Sequence, residues 1–204
     1  KKIEFGRRGD FITSPGISKL FSEMIAIWVV SFWENLNKPE KINLVELGAG
    51  NGELIEVLIN TLNKLEIVKD KFKFFIFEKS VSLKKLQKKK FSKSVKWLDN
   101  FDKLPNFPTI FLANEFFDAL PIKQFIKINE DWYENFVLLN KSGKFSLEKK
   151  KVTKKNMEKI FNQGIDENQN FIEFSPLMVK YLKSICKKIK SSAGGILLID
   201  YGTS

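Results

Sequence analysis

The stretch Asn43-Leu44-Val45-Glu46-Leu47-Gly48-Ala49-Gly50-Asn51-Gly52-Glu53 decides how this chain is read. An apolar run ends in an acid, and three glycines follow at every second position. The run reads as a strand, and Leu54, Leu58, Thr61, Leu62 and Leu65 beyond it repeat with the period of a helix. Glycine has no Cβ to hold a ligand away, so a strand that breaks through these residues into a helix presents bare backbone at the bend. The helix beginning near Glu53 adds unpaired N–H groups at the same place. Spacing narrows the reading. A dinucleotide fingerprint needs its third glycine three residues after the second. Glu53 stands there instead, which argues against a nicotinamide-dependent oxidoreductase.

The bulk composition limits the alternatives. A chain of 204 residues with 43% hydrophobic content and 20 Phe can bury a sizeable core. The net charge of +11 invites a nucleic-acid reading, yet Arg7 and Arg8 are the only arginines among 35 basic residues. Nucleic-acid sites favour the planar fork of Arg, so the excess of Lys is put down to coding bias and no nucleic-acid partner is expected. There is no His and one cysteine, Cys186. That removes imidazole acid–base catalysis, His ligation, thiolate clusters and an internal disulfide, and no metal set is expected. Cys186 falls on the apolar stripe of a predicted helix and is expected to be buried and inert. The apolar stretch from Met24 to Trp33 is too short to span a bilayer, so no membrane insertion is expected.

Along the chain, Ser14-Pro15 predicts an N-cap and first helical residue, and Ile17, Leu20, Phe21, Met24, Ile25, Trp28, Phe32 and Trp33 form the helix's apolar face. Residues 1–40 are thus expected to form a loop and a helix. Strands are predicted at Asn43–Leu47, Phe72–Phe77, Val95–Leu98, Thr109–Ala113 and Ile196–Asp200, and helices after Glu53, after Ser80 and after Ser175-Pro176, the last ended by Gly194-Gly195. Alternating strands and helices predict an α/β, Rossmann-like doubly wound parallel sheet over 41–121 and 176–204. Between them, 122–175 reads as a small antiparallel insertion. Its strands are Ile122–Ile128, Trp132–Leu139 and Lys144–Lys150, and Lys149–Lys155 is a solvated charge run.

The acid followed by Gly-x-Gly-x-Gly resembles the first motif of S-adenosylmethionine-dependent methyltransferases, whose cofactor carries an amino-acid end and a sulfonium where a dinucleotide carries a pyrophosphate. In an open parallel sheet, ligands bind at the carboxyl ends of the strands. The polar residues there are Glu46, Glu78, Asp99, Asn114, Glu115 and Asp200. Glu78 is placed to accept both ribose hydroxyls; the plainer reading is a carboxylate at a helix N-terminus, worth ~0.3–1 kcal/mol. Asp99 is a candidate for the adenine amino group. In Asn114-Glu115-Phe116-Phe117-Asp118-Ala119-Leu120-Pro121, Glu115 and Asp118 are placed beside the reacting methyl as catalytic candidates. Such an enzyme must chiefly align a nucleophile with the S–CH₃ bond, and orientation can supply ~7–11 kcal/mol of the barrier. A guanidinium stays protonated in water, so an arginine acceptor needs carboxylates to hold it.

Four motifs occur in the order seen in the MidA family of S-adenosylmethionine-dependent methyltransferases, which includes a mitochondrial complex I assembly factor. They are Gly9 to Ser18, Val45 to Gly52, Asn114 to Pro121, and Asp200-Tyr201-Gly202. The resemblance implies a class I methyltransferase fold, S-adenosyl-L-methionine as cofactor and protein arginine methylation, with a respiratory complex I subunit as a possible protein substrate. It implies a location in the cytoplasm of a bacterium or the mitochondrial matrix of a eukaryote. It implies Glu46, Gly48, Gly50 and Gly52 as cofactor-lining residues, covered by Phe11 and Thr13 and by the N-terminal segment 1–40 that carries them. Asn114, at the end of the fourth strand, is a further cofactor-binding candidate. Gly16 stands where the family usually has Glu, and Ala49 and Asn51 where Pro and Arg are common. Family members continue well past the Asp-Tyr-Gly motif, so the sequence is expected to be a piece of a longer protein. A non-catalytic assembly factor with the same fold is the competing reading. A nucleic-acid amino-methyltransferase would place two prolines after the fourth-strand Asp or Asn, where this chain has Glu115 and Phe116.

Overall fold

The computed structural model describes residues 18–200. Two compact units divide the chain, one ending at Ala119 and resuming at Lys183, the other running Leu120–Leu182.

In the first unit, helix α1 (Lys19–Asn35) precedes strand β1 (Ile42–Leu47), helix α2 (Glu53–Leu62), strand β2 (Phe72–Phe77), helix α3 (Val81–Phe91), strand β3 (Val95–Leu98) and strand β4 (Thr109–Asn114). All six residues of β1 are buried, as a central parallel strand covered on both faces requires. The described start of α1 departs from expectation. Ser18 is extended and acts as N-cap, while Ser14 and Pro15 lie outside the described residues. Its buried stripe is Ser22, Ile25, Ala26, Val29 and Trp33, so the small Ser22 and Ala26 approach the core while Leu20 and Met24 are exposed. Helix α2 stops at Leu62, and Leu65, expected on its stripe, is exposed.

The parallel sheet has the order β3-β2-β1-β4-β9, where β9 is Gly194–Ile199 at the end of the described chain. The chain winds from β1 outward through β2 and β3, then crosses to β4 on the other side of β1. That reversal places the carboxyl ends of β1 and β4 at the topological switch point. Asn43, buried in β1, donates through its amide to the Pro105 carbonyl and to Thr109 Oγ1, both at 3.0 Å, which fixes β1 against the approach to β4. Strand β9 begins two residues earlier than predicted, so Gly194 and Gly195 are strand residues. A Cβ at Gly195 would come within 2.5 Å of the Phe32 ring, which explains the glycine there. Strand β9 is half-buried, because among the described residues it is an edge with β4 as its neighbour.

The second unit is an antiparallel sheet of order β7-β6-β5-β8, from β5 (Lys123–Ile128), β6 (Asp131–Leu139), β7 (Phe145–Val152) and β8 (Phe171–Phe174). Asn129 and Glu130 adopt φ of 48° and 68° and form the tight turn between β5 and β6. The charge run Lys149–Lys155 falls mostly in β7, and helix α4 (Lys154–Phe161) begins at its end, where the sequence reading gave no element; Thr153 Oγ1 accepts from the Asn156 N–H and caps it. Phe125, Trp132, Met157 and Ile165 form this unit's own core. Helix α5 (Pro176–Ser192) follows as predicted, but Cys186 is exposed. The neighbouring Ile185 takes the buried position, and one residue on a helix turns the side chain away by about 100°.

Candidate functional site

The glycine bend after β1 is held to its neighbour strand, since the Gly48 N–H donates to the Phe77 carbonyl at 2.9 Å. Gly48 and Gly50 have φ of 66° and 52°, in the left-handed region that favours glycine. Their surroundings differ. A Cβ on Gly48 would meet the Phe116 ring at 2.6 Å, whereas a Cβ on Gly50 would meet nothing within 4 Å. The bend is thus packed at its start and open at its middle. Gly52 caps α2, whose first turn carries Glu53 and Glu56.

Glu46 points from β1 into the protein with 4% of its surface exposed. Burial pushes its carboxyl up to about 8, the nearby Glu78 adding to the rise while the Ile55 backbone N–H and Lys90 oppose it. At neutral pH the group is held protonated. Its Oε2 is buried and has no partner among the described residues. Glu78, just past β2, is also buried; its Oε1 accepts from the Ser80 N–H at 2.8 Å and its Oε2 from the Gln87 amide at 3.2 Å. Gln87 is fully buried and also donates to the Gly50 carbonyl at 2.9 Å, while the Trp97 indole N–H donates to its Oε1 at 2.9 Å. Sequence reading passed over Gln87. The available signal was an uncharged polar residue on the inner side of a helix otherwise rich in Lys.

Asp99 lies at the end of β3 but is exposed and bonded to Lys84 at 3.1 Å, which holds its carboxyl below the usual range. It does not join the buried cluster.

At the end of β4, the buried Oδ1 of Asn114 has no partner among the described residues. Glu115 follows with φ of 49°, strained for a side chain of its size, and its N–H donates to the Ile199 carbonyl at 2.8 Å. The turn brings three carboxylates together. The Asp118 N–H donates to Asp200 Oδ2 at 3.2 Å, and burial, Asp200 and Glu115 together raise the Asp118 carboxyl. The Phe116 ring meets Phe77 and Phe117 edge-on, at 6.2 Å and 5.2 Å between centroids. Glu46 and Glu78 thus lie near each other past β1 and β2, with Glu78 tied through Gln87 to Gly50, while Glu115, Asp118 and Asp200 cluster past β4. Phe11 and Thr13 lie outside the described residues. Two buried oxygens without partners among the described residues, together with a bend that is open at Gly50, make a cradle for a ligand that brings its own hydrogen-bonding groups.

Comparison with known proteins agrees with this layout. The chain is 31% identical over 219 residues to a Caenorhabditis elegans protein named "Protein arginine methyltransferase NDUFAF7 homolog, mitochondrial", covering 97% of this chain and 51% of the relative. The Xenopus laevis protein arginine methyltransferase NDUFAF7, mitochondrial, is 30% identical, again over 97% of this chain and 51% of the relative. The chain spans about half the length of these curated relatives. Among solved structures, a Burkholderia thailandensis protein crystallised with S-adenosyl-homocysteine superposes with a TM-score of 0.74 at 25% identity, covering 98% of this chain and 52% of the other. A family described as "Putative S-adenosyl-L-methionine-dependent methyltransferase" matches residues 24–204. With that match over most of its length, and with the acid, glycine bend and strand-end carboxylates in place, the chain belongs to this methyltransferase family.

Proposed function

We propose that this chain forms the cofactor-binding part of an S-adenosylmethionine-dependent methyltransferase that modifies arginine in a protein. The observation that carries the reading is the strained Glu115, set beside Asp118 and Asp200 at the switch point of the sheet. When bound, the cofactor supplies an electrophilic methyl on a sulfonium that is already a good leaving group. The chain's residues fit that group. Gly50 leaves room, and Glu46 Oε2 and Asn114 Oδ1 are buried oxygens in want of partners. Glu78 offers a carboxylate for ribose hydroxyls, and Gly48 and Gly52 shape the bend. Asp99 is the adenine candidate only if its tie to Lys84 opens. Phe11 and Thr13 remain candidates for covering the site.

Glu115 and Asp118 hold the acceptor. A guanidinium presents several N–H donors in one plane, and carboxylates set at different angles accept from it and fix its orientation. Burial first, and then Asp200 and Glu115, raise the Asp118 carboxyl, and the part that comes from these neighbouring acids is relieved when a cation enters. The complex I subunit stays the substrate that the family resemblance implies, with the mitochondrial matrix as the place of action in a eukaryote and the cytoplasm in a bacterium. Among the described residues no helix is long and apolar enough to cross a membrane.

The test uses the full-length protein with a labelled methyl donor and peptides containing either arginine or lysine. Label is expected on arginine and lost in Glu115→Gln, with S-adenosyl-homocysteine still bound. Label on lysine alone overturns the arginine assignment. Absence of cofactor binding by the wild-type protein leaves only an assembly factor that retains the fold.

A further inference from the structure

We infer that Gln87 is a positioning residue that locks the glycine bend and the ribose-seeking carboxylate of Glu78 into one geometry. The inference rests on the cofactor reading above but concerns a residue which that reading does not use. Gln87 has no exposed surface, so it acts only through its partners. Those partners come from three separate elements. Its amide nitrogen reaches the Gly50 carbonyl at 2.9 Å and Glu78 Oε2 at 3.2 Å, and its amide oxygen accepts from Trp97 Nε1 in β3 at 2.9 Å.

The chemistry of these partners fixes which way the amide faces. An indole N–H only donates, and a peptide carbonyl only accepts. Gln87 therefore turns its oxygen to Trp97, and both amide hydrogens go to Gly50 and Glu78. One planar group then sets the distance between the glycine-rich loop, at Gly50, and the carboxylate just past β2. Backbone in the left-handed region, such as Gly50 at φ of 52°, needs an outside partner to select one conformation among the many open to glycine. The side chain also keeps Glu78 from swinging out toward solvent. Val81 to Phe91 is a Lys-rich helix whose buried residues are Gln87 and Phe91, and of the two Gln87 is the polar one and has no exposed surface.

Two variants of the full-length protein test it. Gln87→Leu removes all three hydrogen bonds at similar size, and Gln87→Glu keeps the shape but sets a carboxylate against the Gly50 carbonyl and Glu78. Calorimetric titration with S-adenosyl-homocysteine is expected to show about tenfold weaker binding in either variant, equivalent to about 1.4 kcal/mol. In the Gln87→Leu, Glu78→Gln double variant the two losses should fall short of their sum, because one residue acts through the other. Hydrogen–deuterium exchange without ligand should rise over residues 48–53 and stay level over 19–35. Additive losses, or unchanged exchange over 48–53, overturn the inference. A wild-type protein that binds no S-adenosyl-homocysteine overturns the proposed function instead, and the exchange comparison then decides the role of Gln87 by itself.

Discussion

Glu46 shows how much a single residue's surroundings can change what the sequence says. Its place before three glycines was legible, since few other arrangements need an acid there. Its protonation was not, because that depends on burial by distant parts of the chain. With the carboxyl raised from 4.5 to about 8, the folded protein holds a proton that the unfolded chain releases. Stability from this group is fully present below pH 4.5 and is lost as pH rises through about 8, at roughly 1.4 kcal/mol per pH unit in between. Urea unfolding from pH 5 to 9 should show that fall, and Glu46→Gln should flatten it. The two glycines with different neighbours give a second expectation. Alanine in the left-handed region costs roughly 1–2 kcal/mol at either site. Gly48→Ala also drives a Cβ into the Phe116 ring, so it should lower the melting temperature more than Gly50→Ala does. Gly50→Ala, whose Cβ enters open space, should instead weaken S-adenosyl-homocysteine binding more than it weakens the fold. Equal effects of the two on binding would count against the open middle of the bend as the ligand's place.

Elements were legible where a strong period met clear stop signals. The run Phe72–Phe77 and the strand Val95–Leu98 appear with the predicted bounds, since apolar runs between polar clusters leave little choice. Helix α4 was missed because its eight residues carry three Lys and only Met157, Ile160 and Phe161 as apolar anchors, too few to outweigh the charges. Strand β8 was missed because four residues give no period to count. Its pairing with β5 is a tertiary choice that local sequence does not announce. The shift in the stripe of α1 has the same origin, as Ser22 is buried for its small size and not for its polarity. Helix α3 matters most for the site, since it carries Gln87. Its N-cap is Ser80, whose Oγ accepts from the Leu83 N–H at 3.4 Å while its own N–H is held by Glu78. Replacing the cap, Ser80→Ala, should destabilise by about 0.5–2 kcal/mol in chemical denaturation. Exchange should quicken in the first turn of α3 and spread toward residue 87. A change confined to other helices would show that the cap does not hold this one.

At the scale of the whole molecule, the charge balance and the site point in opposite directions. A chain of net charge +11 gathers Glu115, Asp118 and Asp200 at one place, so an acidic site sits in a basic protein. The global field disfavours a cationic peptide at long range, and the local carboxylates attract it once it arrives. Added salt should therefore screen the repulsion as much as the attraction, and binding of an arginine peptide should change little between low and moderate ionic strength. A nucleic acid held by the Lys faces would instead be lost steeply over the same range.

The second unit offers the last expectation, because it has a core of its own. Met157 is fully buried among Phe125, Trp132 and Ile165, and none of these belongs to the glycine bend or to the carboxylates. Met157→Ala removes buried methylenes and leaves a cavity, which typically costs about 2–5 kcal/mol of local stability. If the two units hold their structure separately, exchange should rise over 123–174 while 42–62 stays protected and S-adenosyl-homocysteine affinity is kept. If loss of that core instead weakens cofactor binding as much as Gly50→Ala does, then the division at Ala119 and Leu182 has no energetic meaning. The small sheet would then count as part of the cofactor site's support, since an element whose loss loosens ligand binding at the bend helps to keep the bend in shape.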